Sequence, residues 1–241
     1  MVGWRVAVVL VALVVIALSS AIHGAVGFGM NLLAVPLLLV LDPSFVPGPA
    51  LVAGLLLSLL VAWRELGSMD HRLGWAVLGL VPGTALALLL LAAVPEDALG
   101  IPLGLLVLIA VGLSALRWEP SPTRSALIVA GTASGFLATA ASIGGPPMAL
   151  IYADSDGPKL RSTLSVFFVA ASLVALGALA AVGRFGPHDM GVSAAFLPGV
   201  VVGFLLSGPL RPLVDRGHTR PAVLGLSAVA AVGAVIEGLL G

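Results

Sequence analysis

Apolar positions in this 241-residue chain fall in long runs broken by short polar punctuation. The runs cover about residues 5–22, 30–41, 46–63, 73–94 and 99–116, and then 125–141, 143–153, 160–183, 190–210 and 220–240. At 1.5 Å per residue, a helix of about twenty residues crosses a hydrocarbon core roughly 30 Å thick. The runs at 30–41 and 143–153 reach only about half-way, so they predict short or re-entrant arms. The whole pattern predicts an all-helical (all-α), polytopic membrane protein in which each short arm follows a longer opening helix.

The ten runs divide into two sets of five. Between them lies a polar link, residues 117–124, carrying Pro120 and Pro122. The division predicts a first membrane repeat at 1–116, a linker at 117–124 and a second repeat at 125–241, all within one membrane domain. Pro82-Gly83 recurs as Pro198-Gly199 and Gly29 as Gly145, each pair 116 residues apart. If each opening arm and its short partner enter and leave on one side, the basic loops collect together. Arg64, Arg72, Arg117, Arg124, Lys159, Arg161, Arg211, Arg216 and Arg220 then share a face, and Arg5 and Arg184 lie opposite. The positive-inside rule makes that face cytoplasmic and puts both termini on the outer, periplasmic side of an inner membrane. The repeats are then inverted, each with an opening helical hairpin and three transmembrane helices. Trp4, Trp63, Trp75 and Trp118 sit at run ends, where indoles meet headgroups.

Composition narrows the function classes. Apolar residues make up 60% and charged residues only 9%, too little charge to dress a water-soluble enzyme of this length. Eleven basic and eleven acidic residues cancel, leaving no field to hold nucleic acid. Cysteine is absent, which removes disulfides, thiolate metal sites and cysteine nucleophiles. The first twenty residues could be read as a signal peptide, with small residues at Ser19-Ser20-Ala21. Their counterpart in the second half argues for a membrane helix.

Candidate chemistry lies between each opening arm and its short partner. The first stretch is Gly24-Ala-Val-Gly27-Phe28-Gly29-Met-Asn31, and the second is Thr139-Ala-Ala-Ser142-Ile-Gly144-Gly145-Pro146-Pro147. Glycine interrupts a helix and lets backbone approach a ligand, and proline suits the first turn of a new helix. A helix starting inside the membrane aims unpaired N–H groups and a positive dipole end at its tip, an anion site without a cationic side chain. Packing is the commoner role of any single glycine among the thirty here. The paired, helix-breaking clusters predict binding. Their polar side chains, His23, Asn31, Thr139 and Ser142, are uncharged at neutral pH. With no Lys, Arg, Asp or Glu near the middle of a span, a carboxylate relay or buried salt-bridge gate is not expected. His23 alone could pass a proton or, once protonated, bind the anion; its plainer role is a neutral interhelical hydrogen bond. Lys159 and Arg161 read as topology signals that could also attract an anion to the cytoplasmic mouth. His71, His188 and His218 have no metal-site spacing, so no metal or cofactor is expected. Two alternatives stand beside transport of a small anion: an intramembrane hydrolase pairing Ser142 with His23, and a structural membrane scaffold.

The stretches Gly27-Phe-Gly-Met-Asn-Leu-Leu-Ala-Val-Pro36 with Asp42-Pro43, Gly144-Gly-Pro-Pro-Met-Ala-Leu-Ile-Tyr152, and Arg161-Ser-Thr-Leu164 with Phe167-Phe168 are similar to motifs of a known group. Through them the whole chain resembles the sulfite exporter TauE/SafE family of membrane permeases. The resemblance implies transport of a small sulfur-containing anion, such as sulfite, a sulfonate or an organosulfur acid, in either direction. It implies a site at Gly27, Gly29, Gly144, Gly145, Pro146 and Pro147. Phe28 and Met30 stand among the first glycines, which implies a tighter or more apolar tip than in glycine-richer members.

Overall fold

The computed structural model describes residues 2–65, 67, 69–95, 99–115 and 120–214. The expected last span, 220–240, lies outside the described residues. Within them the chain forms α1 (Val2–Val26), α2 (Met30–Leu41), α3 (Gly48–Glu65), α4 (Gly74–Ala93), α5 (Gly100–Ala115), α6 (Arg124–Ala141), α7 (Gly145–Ile151), α8 (Gly157–Ala181) and α9 (Pro187–Val214). No strand occurs among the described residues. Six of these helices (α1, α3, α4, α6, α8 and α9) are long and apolar enough to cross a membrane. The two arms are short, at 12 residues for α2 and 7 for α7. The described part of α5 has 16 residues, fewer than the crossing run expected there.

A spanning helix is apolar on every side, so its two faces differ in other ways. On α1, Leu10, Val14 and Leu18 are 57%, 58% and 58% exposed, a large-residue stripe at four-residue spacing that faces outward. Its other face buries Ile16 together with small and polar groups: Ala12, Ser19, Ser20 and His23.

Small residues set the closest crossings. α4 packs along α6, and α1 packs along α9. A Cβ at Gly83 of α4 would run into the Thr132 carbonyl of α6, and one at Gly203 of α9 into the Ala17 carbonyl of α1. Such contacts bring backbones together without bulky side chains, the usual basis of helix association in lipid. Shifting the sequence by 116 residues carries α4 onto α9 and α1 onto α6, so the two tight pairs exchange partners.

Polar contacts tie the loops together at the two ends. At one end, Arg72 reaches the Pro122 carbonyl at 3.3 Å, and Lys159 lies 4.0 Å from Asp70. Arg124 stacks 4.1 Å over Trp75, and the Asp70 amide donates to Thr163 at 3.0 Å. Arg64 reaches the last turn of α1 there, donating to the Gly24 carbonyl at 2.5 Å. At the other end Arg184 donates to the Leu91 carbonyl at 2.7 Å, closing α4. Hence α1 runs toward the basic end, where α6 begins. The short arms start deep in the protein and return to the end from which their partners came.

Candidate functional site

Both helix breaks are built by unusual backbone. After α1 the chain turns through Gly27 and Gly29, each at φ 104°, a left-handed conformation that disfavours any side chain. Gly27 has a second constraint: a Cβ there would sit 2.8 Å from the Arg161 Cγ. The second break is made differently. Its left-handed residue is Ser142, at φ 62°, which caps α6 with its amide donating to the Ala138 carbonyl at 2.8 Å. Gly144 takes an ordinary φ of −77°, and Pro146 and Pro147 stand in the first turn of α7, where a missing N–H costs nothing. The sequence drew attention to the glycines; the strained residue is the serine before them.

The breaks meet. Asn31, in the first turn of α2, donates its Nδ2 to the Ser142 carbonyl at 2.8 Å and to the Ala50 carbonyl at 3.4 Å. The Ser142 hydroxyl donates to the Pro47 carbonyl at 2.7 Å. A Cβ on Gly145 would lie 3.6 Å from Phe168 and 3.8 Å from Phe28. Between the breaks is a cavity of about 50 Å³, room for a few waters or one small anion.

Of the residues singled out in the sequence, His23, Phe28, Gly29, Asn31, Ser142, Gly144, Gly145 and Pro146 line this cavity. Gly24, Gly27, Thr139 and Pro147 do not. Gly24 faces Ser207, and its carbonyl takes the Arg64 bond. Gly27 faces Arg161. The Thr139 hydroxyl is spent on Thr84, 3.1 Å away on α4, and Pro147 is buried within α7. More of the cavity's wall comes from α3, through Leu51, Gly54 and Ser58, and from the middle of α8, through Phe168, Ala171 and Ser172. Ser58 and Ser172 had no signal beyond being hydroxyls inside apolar runs. Gly54 does have a use: a Cβ there would press on Asn31 Nδ2 at 3.2 Å.

His23 is the one titratable side chain on the cavity wall among the described residues. It is 5% exposed, and its Nδ1 accepts the Met30 amide at 3.4 Å. A neutral ring accepting at Nδ1 carries its proton on Nε2, a donor. That Nε2 is buried with no protein partner, as is the Asn31 Oδ1. Buried polar atoms are rarely left unpaired, so a cavity flanked by two of them is suited to a polar guest. Ser142 and His23 make no hydrogen bond to each other, and the serine hydroxyl is directed to Pro47.

A family model of the sulfite exporter TauE/SafE matches residues 11–234. The chain belongs to the sulfite exporter TauE/SafE family. No curated protein and no solved structure matches it. TauE/SafE members are membrane transporters rather than enzymes, and membership points to a small anionic substrate.

Among the described residues of this TauE/SafE protein, one charged group departs from the sequence expectation. Arg161 is not a solvated mouth residue: it is 7% exposed, and its Nε lies 3.2 Å from the Glu65 carboxylate. A buried ion pair, not expected from the sequence, therefore joins α8 to α3.

Proposed function

We propose that the chain carries a small sulfur oxyanion, sulfite or a compact sulfonate, through the cavity between the two breaks. The observation that carries this reading is the meeting of the breaks around a cavity bordered by an unpartnered His23 Nε2. An oxyanion placed there would accept from that N–H and from the Asn31 and Leu32 amides in the first turn of α2, whose intrahelical partners are missing by geometry. Ser142, Asn31, Gly144, Gly145 and Pro146 complete its surroundings. A neutral wall holds an anion without the desolvation cost of burying lysine or arginine, and it releases the anion again.

In this reading the halves are inverted repeats that move by alternating access around the site. The exchange of partners between the α1–α9 and α4–α6 pairs and the opposed directions of α1 and α6 support that arrangement. The basic end is cytoplasmic. His23 couples the anion to a proton, since a charged ring would attract what a neutral ring only hydrogen-bonds.

Thermal stability of the purified protein with added sulfite tests the site, because a ligand that favours the folded state stabilises it, by about 2.7 kcal/mol at a hundred times Kd, and so raises the midpoint. Gly145→Ala has room and should keep the sulfite response. Gly145→Leu should fold, fill the cavity and lose the response; a full response from the leucine variant refutes the site. In proteoliposomes, His23→Gln should flatten the pH dependence of sulfite flux. An unchanged profile removes His23 from coupling.

A further inference from the structure

The cavity is walled in part by α3 and by the middle of α8, and the same two helices are joined again two turns closer to the basic end. Glu65 is seven residues beyond Ser58 on α3, and Arg161 is seven residues before Phe168 on α8, about 10 Å along each helix. Their side chains are 11% and 9% exposed and meet at 3.2 Å. Arg64 extends the cluster sideways. It lies 3.7 Å from Glu65, donates to Ser207 at 2.9 Å and to the Gly24 carbonyl, and stacks on Phe204 at 4.7 Å. Four helices (α1, α3, α8 and α9) are thus gathered at one level between the cavity and the basic surface.

We propose that the Glu65–Arg161 pair, braced by Arg64, is the gate that closes the cavity toward the basic face. The proposal rests on the transporter reading. A buried ion pair is poor value as a fastener, since apolar residues of the same volume hold helices at least as well. Its distinctive property is a dependence on water. In a dry seam the attraction is strong; once water enters, the same charges at the same distance attract far more weakly. Such a contact holds while the pathway is closed and parts readily when it is wetted, which an apolar seal does not do. The pair also acts on the site: the Arg161 stem packs against Gly27, so a shift of Arg161 frees the turn that positions Gly29 and Met30.

The chain has no cysteine, so Ser172→Cys places a single thiol in the cavity wall. Its labelling by a membrane-impermeant maleimide is followed in sealed vesicles of either orientation, with Ser121→Cys in a separate chain marking which vesicles present the basic face. Adding Glu65→Gln should raise the labelling rate from the basic face about tenfold and leave the opposite face unchanged. The swapped pair Glu65→Arg with Arg161→Glu, which restores opposite charges, should bring the rate back toward that of the Ser172→Cys parent. A rate unchanged by Glu65→Gln overturns the gate. Equal increases from both faces, the mark of a loosened fold, overturn it too, as does a swapped pair that labels as fast as Glu65→Gln. None of these readings needs sulfite, so the gate and the sulfite site fail separately.

Discussion

Ser142 carries two opposed contributions. Its left-handed backbone costs a non-glycine residue roughly 1–2 kcal/mol, while its hydroxyl bond to the Pro47 carbonyl contributes about 1 kcal/mol. Ser142→Ala keeps the strain and leaves the Pro47 carbonyl without that donor, so it should destabilise by about 1 kcal/mol or somewhat more. Ser142→Gly loses the same bond but relieves the strain, and should fall within about 1 kcal/mol of the parent. Glycine should therefore be better tolerated than alanine, the reverse of their order within a helix. Thermal unfolding of the two variants checks the ranking; an alanine variant at least as stable as the glycine one would contradict it. The sequence could not reveal this role, because a serine before Ile-Gly-Gly reads as a helix end whose irregular residues are the glycines. The partner of Thr139 escapes the sequence for a related reason. A hydroxyl near a break reads as a ligand, and its partner Thr84 is 55 residues away, where no local pattern points to it.

Among the elements, the short arms were legible because their length and their Gly and Pro flanks are local properties. Contacts between elements were not, as the segment between α3 and α4 shows. Asp70 accepts from the Arg72 amide at 2.9 Å and from its guanidinium at 2.8 Å, and its own amide donates to Thr163 of α8. The Arg72 hydrogen bonds dominate over burial and hold the Asp70 carboxyl down to about 2, from an ordinary 3.8. A group held low in the folded protein contributes stability above its unfolded pKa and loses it as pH falls through the folded one. The contribution of Asp70 should be complete above about pH 4 and vanish by about pH 2. Asp70→Asn should lower stability at pH 7 by about 1 kcal/mol, a discounted figure because the Arg72 side chain is 54% exposed. Between pH 4 and pH 2 the parent and Asp70→Asn unfolding midpoints should converge. A gap that stayed constant over that interval would show that the carboxylate charge is not what matters. The buried Arg161–Glu65 pair escaped sequence reading in the same way: 96 residues separate its members, and a basic residue beside Lys159 looks like a loop charge.

For the whole molecule, the question is which way the bundle faces. Run lengths and glycine positions predict eight long runs and two short arms, six of the long ones being spanning helices among the described residues, but they do not distinguish one face from the other; only charge does. Arg64, Arg72, Arg124, Lys159 and Arg161 gather at one end through their contacts with Gly24, Pro122, Trp75, Asp70 and Glu65, while Arg184 sits at the other beside Leu91. Lysine and arginine near helix ends are retained on the cytoplasmic side during insertion, so the first end should face the cytoplasm. Ser121 lies exposed in the link before α6 at the basic end, and Ser44 lies exposed between α2 and α3 at the other. In a chain without native cysteine, Ser121→Cys should react with an impermeant maleimide only in inside-out vesicles, and Ser44→Cys only in intact cells or right-side-out vesicles. Reaction of both from one side would break the inverted arrangement, because α3, α4 and α5 could not then all cross. The reversed pattern would keep the arrangement but turn the gate at Glu65 and Arg161 outward. The pair would then close the outer rather than the cytoplasmic approach to the anion.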